Sequence, residues 1–432
     1  MSVTSAAQNR LMPAEPGVIR VGLREHIAGY GKLEASMPLD QAGIRSAISA
    51  IGESGLRGRG GALFPTAKKW ASLKEDRRRP VVVVNGMESE PAGLKDRMLL
   101  SVTPHLVLDG AEVAATITGA GEIILCIADD SDASAASVEL AIRERVDAGV
   151  LNHKILIQRP PGRYVSGEET AVVGWINNRR SLPALHLDKS VPLQVSRSPV
   201  VVHNAESLAQ VALIARYGSE WFRRLGTTEA PGSTLVTVSG DQRSPTVIEV
   251  EFGMPVIDIV RLAGLTGDLA GALIGGYGGA WLAAHELATP YAPGPLAAAG
   301  SAIGVGIIVA LPSSSCGIAE TARIALYMAG QSAGQCGPCV FGLPALATDL
   351  EHLAVGRHDG GLVGSILGHA DAVDGRGACR HPDGVARLVR SALGAFSYDV
   401  FEHAAGRPCA GYGAKSVMAF PPAGPWGTRH DE

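Results

Sequence analysis

An α/β fold on a mainly parallel sheet, followed by a small α+β module and a helical bundle, is what this sequence predicts. Three observations carry the prediction: apolar runs alternate with helical periodicity in the first half, short strands around one helix follow, and helical periodicity dominates from Ala319 onward. Val81 to Asn85, Ile123 to Ala128 and Lys154 to Gln158 read as strands, with helices Pro104 to Thr118 and Ala133 to Asp147 between them. Alternation at this spacing suits parallel strands with helices on the sheet faces. Residues 1–50 read as a flexible leader running into an amphipathic helix, Leu39 to Ser54, and residues 51–230 as the α/β domain. In 231–290, strands Thr234 to Ser239, Thr246 to Phe252 and Ala272 to Ile274 accompany a helix, Pro255 to Ala263, and lead into Gly275-Gly276-Tyr277-Gly278-Gly279. Residues 291–406 read as a connecting strand within Ile303 to Leu311, then helices Ala319 to Gly330, Leu343 to Val355, Gly361 to His369 and Val385 to Gly394. The Pro- and Gly-rich tail, 407–432, reads as mobile.

Composition narrows the class. The net charge of −4 argues against a nucleic-acid protein, which would show a basic face. Met1 to Pro16 lacks the apolar core of a secretion signal. The longest uncharged stretch, Leu287 to Ala319, contains Pro290, Pro293, Pro295 and Pro312, too many breakers for a membrane helix. Six cysteines in 432 residues suit a reducing cytoplasm and metal or cluster chemistry rather than a disulfide framework.

The most informative segment is Gly55 to Trp70, GLRGRGGALFPTAKKW. Its glycines let the backbone approach an anion, and Arg57, Arg59, Lys68 and Lys69 supply charge. A helix starting near Thr66 would add its amides and dipole. A solvated glycine-rich turn is the alternative reading. Further on stand Asn85-Gly86-Met87-Glu88-Ser89-Glu90-Pro91, then Lys95-Asp96-Arg97, then Gly162-Arg163-Tyr164-Val165-Ser166-Gly167-Glu168-Glu169-Thr170-Ala171. PVVVHNAESL over Pro199 to Leu208 and Ser332-Ala333-Gly334-Gln335-Cys336-Gly337-Pro338-Cys339 complete the set.

Together, and in this order, these segments resemble the NADH-oxidising, flavin-carrying subunit of respiratory complex I and its soluble hydrogenase and formate dehydrogenase relatives, from about His26 to about Phe396. The departures are Leu63 where that family has glycine, Met87 for Asp, Ser166 for Cys, His203 for Asn and Ala333 for the first cluster cysteine. The resemblance implies an FMN held by Gly58, Gly60, Gly61 and Lys69 along its phosphate and ribityl chain, and lined by Asn85, Gly167, Glu168 and Asn204. The plainer alternatives are that Asn85 ends a strand and Asn204 caps a helix beginning at Glu206. For NADH it implies Phe64 as one wall of an adenine cage, Glu90 at the dinucleotide, and Glu169 at the adenosine ribose, where a carboxylate disfavours NADPH. The other cage positions read Ser72 and Lys189, with His186 where a lysine is usual. The segment 231–290 is similar to the ubiquitin-like, SLBB-type module of the same family.

The resemblance further implies a [4Fe–4S] cluster on Cys336, Cys339 and Cys379, short of the usual fourth thiolate. Cys316 and Cys409 stand in loops as replacement ligands or structural thiols, His381 offers a Cys3His zinc alternative, and Cys126 reads as a core thiol. The implied activity is an NADH dehydrogenase-like oxidoreductase, with electrons leaving for a ferredoxin or another iron–sulfur subunit of a hetero-oligomer. Its expected place is the cytoplasm or the periphery of a membrane complex, without membrane insertion. The competing expectation is a non-catalytic scaffold that holds a cluster or zinc and docks a ferredoxin-like partner.

Overall fold

The computed structural model describes residues 9–13, 17–33, 40–71, 73, 78–185, 193–240, 244–357 and 360–421. Ser72, His186 and Lys189 lie outside the described residues, as does 422–432. The first sheet runs β3(Ile155–Gln158), β2(Glu122–Ile127), β1(Val81–Gly86), β5(Ser198–Asn204), β4(Gln194–Val195). All pairings are parallel except β4 with β5. β1 carries the near-continuous valines of a strand buried on both faces, Val82, Val83 and Val84 being fully buried. Helices Pro104–Thr118 and Ala205–Phe222 cover it, locked together at Gly110, where an added Cβ would lie 1.8 Å from the Leu208 carbonyl oxygen.

The second sheet has the order β7(Thr246–Glu251), β6(Ser233–Ser239), β10(Ile307–Pro312), β8(Leu269–Ile274), β9(Ala280–Ala283). β10 runs parallel to β6 and antiparallel to β8, which is the pairing of a ubiquitin-like sheet. The strand Ile307–Pro312, read as a connecting strand beyond the boundary at residue 290, pairs within this sheet. The buried strand of the uncharged stretch fills the middle of this sheet, because its fully buried backbone needs partners on both edges. The helices Gly317–Gly330, Leu343–Ala354, Leu362–Val373, His381–Ala395 and Ser397–Ala404 then pack around a shared apolar core.

The leader and the tail, both expected to be flexible, are docked in their described parts. The backbone N–H groups of Arg10 and Leu11 donate to Glu249 Oε2 at 2.8 and 2.9 Å, and the Arg10 guanidinium lies 3.8 Å over the Trp221 ring. At the other end Ser416 Oγ and the Val417 N–H bond Glu320, while Phe420 packs 5.6 Å from both Tyr277 and Tyr327. Among the described residues no helix is long and apolar enough to cross a membrane.

Candidate flavin and iron–sulfur site

Strand order reverses direction between β1 and β5, and their carboxyl ends meet there: Asn85 is the register partner of Asn204. Open α/β sheets bind ligands at such a switch point. A cavity of about 340 Å³ lies at it. Asn85 Nδ2 donates to the Gly167 carbonyl at 2.9 Å and its Oδ1 accepts the Met87 N–H at 3.1 Å, so the strand end is fastened to the loop before the next helix. Asn204 caps the helix Ala205–Phe222 by accepting the Glu206 N–H at 3.0 Å, while its Nδ2 donates to Asp96 at 2.6 Å. Capping and cavity lining are thus both roles of Asn204. Beneath it lies a buried ion network, with Lys95 Nζ 3.0 Å from Asp96 and 2.9 Å from Glu206.

The glycine-rich loop is closed at its base and open at its tip. The Gly58 N–H donates to the Phe64 carbonyl at 2.9 Å and the Thr66 N–H to the Leu56 carbonyl at 3.0 Å. Arg59 is pulled inward, its backbone N–H on Ser207 Oγ at 2.8 Å and its guanidinium on the Ser233 carbonyl at 3.1 Å. That leaves Gly60 and Gly61 on the cavity wall. Among the described residues their N–H groups have no protein acceptor. A Cβ on Gly60 would lie 3.2 Å from Asn204, and Gly61 has φ +104° with Val305 3.3 Å from its Cβ position.

Leu63, the departure from the family's glycine, has φ +50°. The left-handed turn is kept, and the leucine side chain packs partly buried against the core of the ubiquitin-like sheet. The opposite wall comes from that sheet: Gly275, Gly278, Gly279, Gly304 and Val305 line the cavity. No role was expected for the run Gly275 to Gly279; its link to the site is the Tyr277 N–H, which donates to Glu90 at 2.8 Å. Gly276, at φ +96°, leaves room for the Glu90 carboxylate 2.9 Å from where a Cβ would stand. Burial raises the Glu90 carboxyl to about 7, against hydrogen bonds from the Tyr277 N–H and Tyr164.

The expected residues fall into two groups. Gly60, Gly61, Asn85, Glu90, Gly167, Glu168, Asn204 and Cys379 line one cavity. Gly58, Phe64, Lys69 and Glu169 stand outside its lining: Lys69 Nζ donates to the Val202 carbonyl at 2.7 Å and pairs with Glu169 at 2.8 Å, and Phe64 is 52% exposed. Glu168 caps the helix Glu169–Asn178 through the N–H groups of Thr170 and Ala171. Of the other substituted positions, Met87 is a buried lining residue, and Ser166 is fully buried with no partner for its hydroxyl among the described residues. His203 turns instead to Trp70, whose indole N–H donates to its Nε2 at 2.7 Å.

Cys379 lines this cavity, and Cys336 and Cys339 are its electrostatic neighbours. Burial, then the neighbouring Cys336 and Cys379, push the Cys339 thiol up to about 12. The loop carrying Ala333 is tied to the flavin domain, the Tyr164 N–H bonding Gln331 at 3.3 Å and Gln335 the Pro183 carbonyl at 3.4 Å. Among the described residues, the one set of three Cys, His or carboxylate donors within 4.8 Å of one another is elsewhere. His381 Nε2 donates to the Met328 carbonyl at 2.8 Å, its ring packs edge-on to Tyr164, and its buried Nδ1 has no partner among the described residues, an arrangement compatible with the Cys3His zinc alternative.

A glycine-walled cavity at a sheet switch point, sharing Cys379 with a three-thiol set, defines a class of flavin and iron–sulfur electron-transfer proteins. Residues 51–213 match the Nuo51 FMN-binding domain and residues 319–403 the NADH-ubiquinone oxidoreductase-F iron-sulfur binding region. The chain is 31% identical to the F 2 subunit of the NADH-quinone oxidoreductase of Rhizobium meliloti over 376 residues, 84% of this chain and 89% of that one. It is 30% identical to the F subunit of the NADH-quinone oxidoreductase of Streptomyces coelicolor over 385 residues, 86% of this chain and 85% of that one. Among solved structures, the NAD+-reducing [NiFe]-hydrogenase in its H2-reduced state superimposes with a TM-score of 0.80 at 27% identity, covering 91% of this chain and 68% of that one. The chain belongs to the family of NADH-quinone oxidoreductase F subunits.

Proposed function

We propose that this chain is an oxidoreductase subunit passing electrons from NADH through FMN to an iron–sulfur cluster and on to a redox partner. The observation that carries this reading is the shared cavity in which Gly60, Gly61, Asn85, Gly167, Glu168 and Asn204 meet Cys379. FMN supplies hydride acceptance and one-electron release when bound. The residues present fit it: Gly60 and Gly61, whose N–H groups have no acceptor among the described residues, would receive the phosphate end with Gly58 behind them, Lys69 would add charge from beside the cavity, and Asn85, Gly167, Glu168 and Asn204 would line the ring system. Phe64, Glu90 and Glu169 would meet NADH, with Glu169 ion-paired to Lys69 at 2.8 Å. Glu90, raised to about 7, holds a proton at the cavity wall near neutrality. Cys336, Cys339 and Cys379 would hold a [4Fe–4S] cluster through three thiolates.

The relatives are subunits of an NADH-quinone oxidoreductase and a hydrogenase, which supports a place for this chain in a hetero-oligomer. A ferredoxin or another iron–sulfur subunit is the partner we propose, with the chain peripheral to any membrane. The experiment is substitution Gly60→Val, whose Cβ has Asn204 3.2 Å away. FMN affinity should fall at least about tenfold, or about 1.4 kcal/mol, with far-UV circular dichroism unchanged. Stoichiometric FMN retained in that variant would remove the loop from the site.

A further inference from the structure

A second donor set lies apart from the three cluster thiols. Cys316 precedes the helix Gly317–Gly330, His403 sits in the last turn of Ser397–Ala404, and Cys409 follows in the tail. Their ligand atoms all lie within 4.8 Å of one another, with Cys316 and His403 buried and Cys409 partly so. His403 Nδ1 stands 3.2 Å from the Leu353 carbonyl oxygen and 3.0 Å from that of Ala354. Carbonyl oxygens only accept, so Nδ1 carries the proton and Nε2 keeps its lone pair. Nε2 lies 3.6 Å from Cys316 Sγ and accepts the Cys409 N–H at 3.0 Å. An imidazole fixed through one nitrogen by a carbonyl, with the other facing thiols, is how metal-binding histidines are held. Cys316 Sγ also accepts the Ala319 N–H at 3.3 Å in the first helical turn, an orientation that suits a thiolate.

We propose that Cys316, His403 and Cys409 bind one zinc-class divalent ion through two thiolates and an imidazole, with a water as fourth ligand. Soft sulfur and imidazole donors at this spacing select zinc over magnesium or calcium. Burial pushes the Cys316 thiol up to about 12, so its proton leaves only as the ion arrives. Thiolate ligands displace protons on binding, so the site's affinity rises with pH. The ion takes over the Nε2 lone pair that otherwise accepts the Cys409 N–H. It joins the tail to two helices at the point where Gly411 is already so close that a Cβ would stand 2.7 Å from the Ser315 carbonyl carbon. The tail so held carries Phe420 onto Tyr277, the residue whose N–H anchors Glu90.

The test is a cobalt titration of the full chain, purified anaerobically with reductant and stripped with a chelator. Because Cys336, Cys339 and Cys379 also bind cobalt, it is run on wild type, on Cys336→Ser with Cys379→Ser, and on Cys409→Ser, the last being a change at a partly exposed position. The double variant should keep a single site of about one equivalent with the intense visible bands and sulfur-to-cobalt charge transfer of a tetrahedral thiolate site, and wild type should show that equivalent beside the uptake by the cluster thiols. Cys409→Ser should bind that equivalent at least about tenfold more weakly. Zinc-edge absorption of the zinc-loaded double variant gives a readout that needs no change at the site itself, with two sulfur neighbours at about 2.3 Å and nitrogen or oxygen at about 2.0 Å. Undiminished binding by Cys409→Ser, a double variant that takes up no tetrahedral cobalt, or a Cys316–Cys409 disulfide in the anaerobic protein would each overturn the proposal.

Discussion

At Leu63 a leucine occupies a backbone with φ +50°, where a side chain costs roughly 1–2 kcal/mol that glycine avoids. Its packing against the neighbouring core offsets part of that cost. Leu63→Ala keeps the strain and loses the packing, so urea unfolding should find it about 1 kcal/mol less stable than Leu63→Gly. Equal stabilities would mean the strain is absent. His203 gives a pH signature. Burial, then Lys69, lowers its folded-state pKa to about 3. The unfolded chain therefore binds more protons once pH drops below about 6.5, and stability falls as pH falls from there towards 3. Between pH 7 and pH 5 the wild type should lose about 2 kcal/mol more than His203→Gln; parallel pH profiles would show that His203 is protonated when folded. The substitutions at Met87, Ser166, His203 and Ala333 were visible in the sequence, but the new partner of His203 was not, since Trp70 lies 133 residues away in the chain.

At the scale of elements, local pattern settled most of what it could reach. Pro104–Thr118 matches its helical reading end to end, and the glycine-loop helix starts at Thr66 as the loop suggested. Failures came where pairing partners are distant. The place of β10 between β6 and β8 leaves no mark in its own apolar run, and β9 is a four-residue strand too short to show alternation. The last helix, Ser397–Ala404, exposes Tyr398 and Phe401 at 75% and 65%, which blurs the apolar face that periodicity needs. The loop at Ala333 belongs to this scale too, because a cluster on three thiolates leaves one iron without a protein sulfur. Ala333→Cys should slow the loss of iron from reconstituted protein in air several-fold, followed by iron content and electron paramagnetic resonance. An unchanged rate would place the fourth ligand elsewhere.

At the scale of the whole molecule the site is a joint between the two sheets and the helical region. β1 and β5 contribute Asn85 and Asn204, the second sheet contributes Gly275, Gly278 and Gly279, and the start of His381–Ala395 follows Cys379. The first contribution was legible because strand ends followed by polar residues mark the carboxyl edge of a parallel sheet. The second was not, because glycine runs report conformational freedom and not the surface they face. Lys69 and Glu169, both expected at the site, meet each other at 2.8 Å beside the cavity, an arrangement that spacing alone does not reveal. The most direct test of electron transfer from NADH through FMN is the visible spectrum of the anaerobically purified chain before and after one equivalent of NADH. A yellow protein carrying about one FMN, whose flavin absorbance is bleached by NADH, is the predicted result. A colourless protein, or one whose bound FMN is untouched by NADH, would contradict it and leave a scaffold in its place.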